Sequence, residues 1–108
     1  MAFFRTHDFH SSVFSLQYHT VTAPEKLAAY AALAGPALTA GGGVFLARSD
    51  PVKVFEKSQG GATNIRTVVI KFPSAAAAIA AHDSPAYQAA LQALDGGAVR
   101  DLRIVEMA

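Results

Sequence analysis

Cysteine and tryptophan are both absent from the 108 residues. Without cysteine there is no disulfide, no thiolate nucleophile and no thiolate metal ligand, a usage that suits a reducing compartment. Charge is sparse as well: Asp, Glu, Lys and Arg make up 16% of the chain, and the net charge is +1. The basic residues are scattered rather than clustered, so nothing resembles the phosphate-tracking patch of a nucleic-acid-binding protein. No run approaches the ~18 uncharged apolar residues that a membrane helix needs. The opening "MAFFRTHDFHSSV" lacks a long apolar run and a small-residue cleavage site, which speaks against a secretory signal. The expectation is a cytoplasmic protein with neither nucleic acid nor membrane as a partner.

Catalytic signatures are missing too. "GGG" at 41–43 and "SQGGATN" at 58–64 have no GK[ST] or GxGxxG frame, and no Ser stands in a G-x-S-x-G elbow. His7, Asp8 and His10 match no structural zinc spacing, so no metal is expected. No haem ligand set is recognisable, and the expected cofactor list is empty.

What the chain does have is apolar residues, 52% of it. A domain this small leaves much of its surface exposed, so the surplus points to a buried subunit interface, although much of it is alanine. Residues 1–12 read as an N-terminal extension and 13–108 as a single domain. Val13–Val21 alternates Phe14, Leu16 and Tyr18 with Ser15, Gln17 and His19, the pattern of a strand with one apolar and one polar face. Thr22 and Glu25 have capping-box spacing, and Leu27, Tyr30, Ala34 and Leu38 form a helical stripe that ends at Gly41-Gly42-Gly43. Pro36 is expected to kink or split this helix. Val44–Ser49 and Val52–Lys57 read as two strands about an Asp50-Pro51 turn, and Ile65–Phe72 as the strongest strand. Pro73-Ser74 opens an alanine helix over 75–81. Ser84-Pro85 restarts a second helix, striped by Tyr87, Leu91 and Leu94, that stops at Gly96-Gly97. A last strand spans Asp101–Met107. This order is that of an α+β, ferredoxin-like sandwich with an antiparallel four-stranded sheet. Helices cover one face, and the other needs a different cover.

The stretches "TAPEKLAAYAALAGPALTAGGGVFLAR", "RTVVIKFPS", "SPAYQAALQAL" and "LRIVEM" resemble the domain of unknown function 1330 family over residues 13–107. The "FPS" ten residues before "SPAYQ" is the most specific part. Lys71 stands where the family usually has an acidic residue, and His82 where it has an aromatic. The resemblance implies a homodimer, the dimeric α+β barrel, in which two bare sheet faces meet and enclose a cavity. It also implies a superfamily that includes cofactor-free monooxygenases, haem-degrading enzymes, small isomerases and ligand-binding stress proteins. Fold alone does not choose among these.

With Phe14, Leu16 and Tyr18 assigned to the helix side, Ser15, Gln17 and His19 are expected on the bare face. Thr67, Val69 and Lys71 join them there, and Arg48 shares parity with Leu46. The ligand-binding candidates are therefore Gln17, His19, Arg48 and Lys71, and two cations beside a histidine favour a small anionic or carbonyl ligand. His82 is a further candidate, paired with Asp83 or simply punctuating two helices. Tyr30 and Tyr87 read as packing residues. Two functions follow: a small-molecule-binding or cofactor-independent enzyme-like protein, or a non-enzymatic homodimer whose interior is only interface. A formed cavity with converging polar groups favours the first. A single bulge would reverse any of these strand parities.

Overall fold

A computed structural model describes residues 12–57 and 65–108. His7, Asp8 and His10 lie outside the described residues, as does most of the expected N-terminal extension. The elements are β1 (Val13–Val21), α1 (Pro24–Ala40), β2 (Val44–Ser49), β3 (Arg66–Phe72), α2 (Ala75–Asp83), α3 (Pro85–Leu94) and β4 (Ala98–Glu106). The sheet order is β2-β3-β1-β4, and every neighbouring pair is antiparallel. This is the ferredoxin-like α+β sandwich that the element order predicts, with three helices on one face.

Local chemistry explains most boundaries. Pro24 occupies the first turn of α1, where its missing N–H costs nothing. Thr22 does not cap this helix; its hydroxyl donates to the Gly96 carbonyl across 3.1 Å and ties β1 to the turn before β4. Pro36 does not split α1 either. Ala32, whose carbonyl loses its usual donor, lies on the exposed side, where water can satisfy it. Ser74 caps α2 by accepting from the Ala77 amide at 3.0 Å. Ser84 serves two helices: its Oγ donates to the Ala81 carbonyl at 2.7 Å and accepts from the Tyr87 amide at 3.2 Å. Ser84 is thus the junction between α2 and α3.

Two strand expectations change. Val52–Lys57 forms no strand. Among the described residues no neighbouring strand is in place to pair with its backbone, and Val52 and Phe55 are fully or almost fully exposed. β4 begins three residues early because Ala98 pairs with Val21.

The core lies between the sheet and the helices. Val13, Val68, Ile70 and Phe72 from the sheet pack against Tyr30, Ala34, Leu38, Ala78, Ala81, Tyr87, Ala90 and Leu94. The alanines let α2 and α3 approach closely. Gly43 sits under the end of α1, where a Cβ would lie 2.9 Å from the Leu38 carbonyl oxygen and 2.9 Å from Phe72 Cζ.

In β1 the structure reverses the expected faces. Val13, Ser15, Gln17 and His19 are buried against the helices, and Phe14, Leu16 and Tyr18 lie on the bare face. The premise that the apolar set seeks the helix-covered core fails here because the bare face also gathers apolar side chains, with Val105 beside Phe14 and Val69 beside Leu16. The polar set is accommodated inside by hydrogen bonds among its own members and to His82.

A cleft between helix α1 and the sheet

A cleft of about 380 Å³ opens between α1 and the helix-facing side of β1, β2 and β3. Leu27, Leu38, Phe45 and Val68 supply apolar walls, and Gln17, His19, Tyr30, Arg48, Asp50 and Arg66 supply polar groups. An apolar hollow with a few converging polar groups is the usual form of a small-ligand site. Strand register explains the gathering. His19 stands opposite Arg66 on β3 and opposite Arg100 on β4, so a guanidinium flanks the imidazole on each side. Arg48 reaches the same face through an irregularity between Phe45 and Ala47, which pairs Arg48 with Val68. Its guanidinium lies 4.7 Å from the centre of the Phe45 ring. Without that bulge the parity of Leu46 would send Arg48 to the bare face.

The electrostatics of His19 follow from this setting. Its ring is 2% exposed. Burial, then Arg100, then Arg66 disfavour the imidazolium and lower the pKa from 6.5 to about 4. The ring is therefore neutral at pH 7. Its Nε2 lies 3.3 Å from Gln17 Oε1, which can only accept, so Nε2 carries the proton. Nδ1 then carries the lone pair, and among the described residues it is buried without a partner. A buried polar atom left unmatched is costly and calls for an explanation.

Beside His19, Tyr30 and Tyr87 share a hydrogen bond of 2.8 Å between their hydroxyls. Arg100 Nη2 donates to both, at 3.2 and 2.9 Å, and its guanidinium lies 4.9 Å from the Tyr30 ring centre. Burial and the neighbouring Tyr87 raise the Tyr30 pKa, so the phenol stays protonated. The pair packs, as expected, and also fastens α1 to α3 over the row that holds His19.

The structure places the five sequence candidates in three locations. Gln17, His19 and Arg48 line the cleft on the helix side. Lys71 is exposed on the opposite face of the sheet, paired in register with Phe14 and Val44. It stands away from the cleft because a strand sends successive side chains to opposite faces, and β3 has no irregularity to move it. His82 sits at the end of α2, with Nδ1 2.7 Å from the Ala78 carbonyl and Nε2 3.3 Å from Ser15 Oγ. It does not line the cleft, and among the described residues its ring bonds to Ser15 and Ala78 rather than to Asp83. Sequence reasoning did not single out Arg66 or Arg100. Arg66 shares parity with Val68 and Ile70, which were already assigned to the helix side, so that signal was present; Arg100 became visible only with the β1–β4 register. Among the described residues no three His, Cys, Asp or Glu gather as a metal site, and no helix is long and apolar enough to cross a membrane.

Comparison with known proteins agrees with this architecture. The family model described as Domain of unknown function (DUF1330) matches residues 12–108. No curated protein matches the sequence. Among solved structures, the chain is similar to the RPA0582 protein of unknown function from Rhodopseudomonas palustris, with a TM-score of 0.72 and 18% identity over 94% of this chain and 86% of that one. It is also similar to SnoaB, a cofactor-independent oxygenase from Streptomyces nogalater, with a TM-score of 0.64 and 15% identity over 91% of this chain and 94% of that one. At these identities the likeness is one of fold.

Proposed function

The chain belongs to the family of domain of unknown function 1330, and we propose that it uses the α1–sheet cleft to bind a small molecule with an apolar body and one anionic or enolisable oxygen. The observation that carries this reading is the buried, unpartnered Nδ1 of His19 in a ring that lines an apolar cleft flanked by arginines. Arg48 and Arg66 supply positive charge on the cleft side, against the single carboxylate of Asp50. Guanidinium groups match carboxylate and enolate oxygens well. Leu27, Leu38, Phe45 and Val68 would take the apolar body.

The same groups can move a proton. Nδ1 is closed to a water-sized group in this conformation, so a ligand must part the side chains around it; an acidic C–H next to a carbonyl would then lose its proton to His19 Nδ1, and the electron pair would pass to the carbonyl oxygen as an enolate facing Arg48 and Arg66. Burial first, and then Arg100 and Arg66, make His19 a weak base. A bound carboxylate or the forming enolate offsets the share due to the arginines and raises its basicity where the proton is transferred. Both halves of this step come from side chains. Similarity in fold to a cofactor-independent oxygenase is in keeping with that economy.

Phenylpyruvate tests both parts, because it has a ring, a carboxylate and an acidic methylene beside a ketone. It should bind, shift the amide resonances of Tyr30, Phe45 and Val68, and exchange its methylene protons with deuterium oxide faster than in buffer. H19Q should bind it but lose the accelerated exchange, and R48A/R66A should lose binding. Equal affinity for neutral benzyl alcohol, or resonance shifts away from the cleft, would overturn the reading.

We infer further that the bare sheet face pairs with a second copy of the chain. Phe14, Leu16 and Val69 are half-buried there, and Tyr18, Val44, Val99 and Val105 are 37%, 58%, 68% and 43% exposed. These side chains share the face with Lys71, Asp101 and Arg103, and so many exposed apolar groups on one sheet face are unusual on a monomer. Sedimentation at micromolar concentration should give twice the 11.3 kDa chain mass. Leu16→Glu should shift it to monomer, and a wild-type chain that sediments as a monomer refutes the pairing.

A further inference from the structure

Four polar side chains on the helix-facing side form one chain of hydrogen bonds whose direction is set from one end. The Ala78 carbonyl can only accept, so His82 Nδ1 donates to it across 2.7 Å. In the neutral ring Nε2 then carries the lone pair, and Ser15 donates its hydroxyl proton to it across 3.3 Å. Ser15 Oγ in turn accepts from Gln17 Nε2 at 3.5 Å. This orientation turns the Gln17 carbonyl toward His19, where Oε1 accepts from Nε2 at 3.3 Å. Each donor choice forces the next. The series ends with the proton on His19 Nε2 and a free lone pair on Nδ1.

We propose that Gln17, Ser15 and His82 are positioning residues that hold His19 in the tautomer whose Nδ1 accepts from a ligand. The inference rests on the reading of the cleft as a ligand site and adds the supports of its central group. The arrangement is built into the core rather than draped over it. Ser15 and Gln17 are 0% and 2% exposed, so neither can turn to water instead. The His82 ring is held by Phe72 and Tyr87, with ring centres 5.8 and 5.1 Å away. The chain orients and does not conduct, because a Gln17 amide gives up a proton far less readily than an imidazole or a hydroxyl. Outer partners that fix a histidine tautomer are the rule where one ring nitrogen has a task. His82 therefore contributes without touching the ligand, from the opposite end of β1's polar row.

Nitrogen-15 NMR of the histidine rings in the ligand-free protein reads the tautomer directly. Wild type at pH 7 should show His19 protonated at Nε2 only. S15A removes the middle of the chain, and H82F removes its acceptor while keeping an aromatic ring against Phe72 and Tyr87. Each should convert the single Nε2–H pattern into a mixture with Nδ1–H. H82Q, whose amide oxygen can stand near the position of Nε2, should restore the wild-type pattern. A His19 protonated at Nδ1 in wild type, or an unchanged pattern in both S15A and H82F, overturns the proposal. Phenylpyruvate binding is read separately. Its failure with the tautomer shifts intact would defeat the functional reading alone, whereas binding with unshifted tautomers would defeat the positioning role alone.

Discussion

The burial of His19 between two arginines has a thermodynamic signature that can be measured without knowing a ligand. The ring binds a proton at about pH 6.5 in the unfolded chain and at about 4 when folded. Between those values the unfolded state holds more protons, so stability rises with pH. The contribution is present in full above pH 6.5, declines as pH falls through the window, and is lost below about 4. At 1.36 kcal/mol per pH unit the gap corresponds to about 3 kcal/mol. The perturbation is His19→Gln, which removes the titration and keeps a polar group of similar reach beside Gln17. Urea unfolding of both proteins at pH 7.5, 6, 5 and 4, at one fixed protein concentration because assembly would add to stability, isolates the effect. The other histidines and all carboxylates are common to both chains and cancel in the difference. Wild type should lose about 3 kcal/mol more than H19Q between pH 7.5 and 4, with m-values unchanged. Parallel pH profiles, or an NMR titration that places His19 near 6.5, would refute the assignment of His19 as a buried neutral ring.

Two further substitutions test the frame around the site. Tyr30→Phe removes the hydroxyl that joins Tyr87 and Arg100, and should cost about 1–3 kcal/mol by chemical denaturation because buried partners lose a bond; a neutral result would mean that water replaces it. Gly43→Ala forces a methyl within 2.9 Å of the Leu38 carbonyl oxygen and of Phe72 and should destabilise by about 1–3 kcal/mol, seen as a lowered Tm. An unchanged Tm would show that the end of α1 yields freely.

Much of the fold was legible from local chemistry. The β1 span, the break at Ser84-Pro85 and the element order of a ferredoxin-like sandwich rest on caps, prolines and periodicity that act over a few residues. The same reasoning misjudged Val52–Lys57 and the start of β4, where solvent exposure or a distant partner strand decides. The polar members of the cleft were partly legible. Gln17, His19 and Arg48 were picked out on the wrong face and still share one face, because the reversal in β1 and the bulge in β2 act in the same sense. Lys71 had neither correction and remains on the other side.

Alternation in β1 was therefore determined by the sequence alone: two sets of side chains, one polar and one apolar, on opposite faces. Which set meets the helices was not. That choice depends on whether Ser15, Gln17 and His19 find hydrogen-bond partners inside, and those partners include His82, 67 residues after Ser15 in the chain. Only the folded chain brings them together, and with them the two arginines that keep His19 neutral.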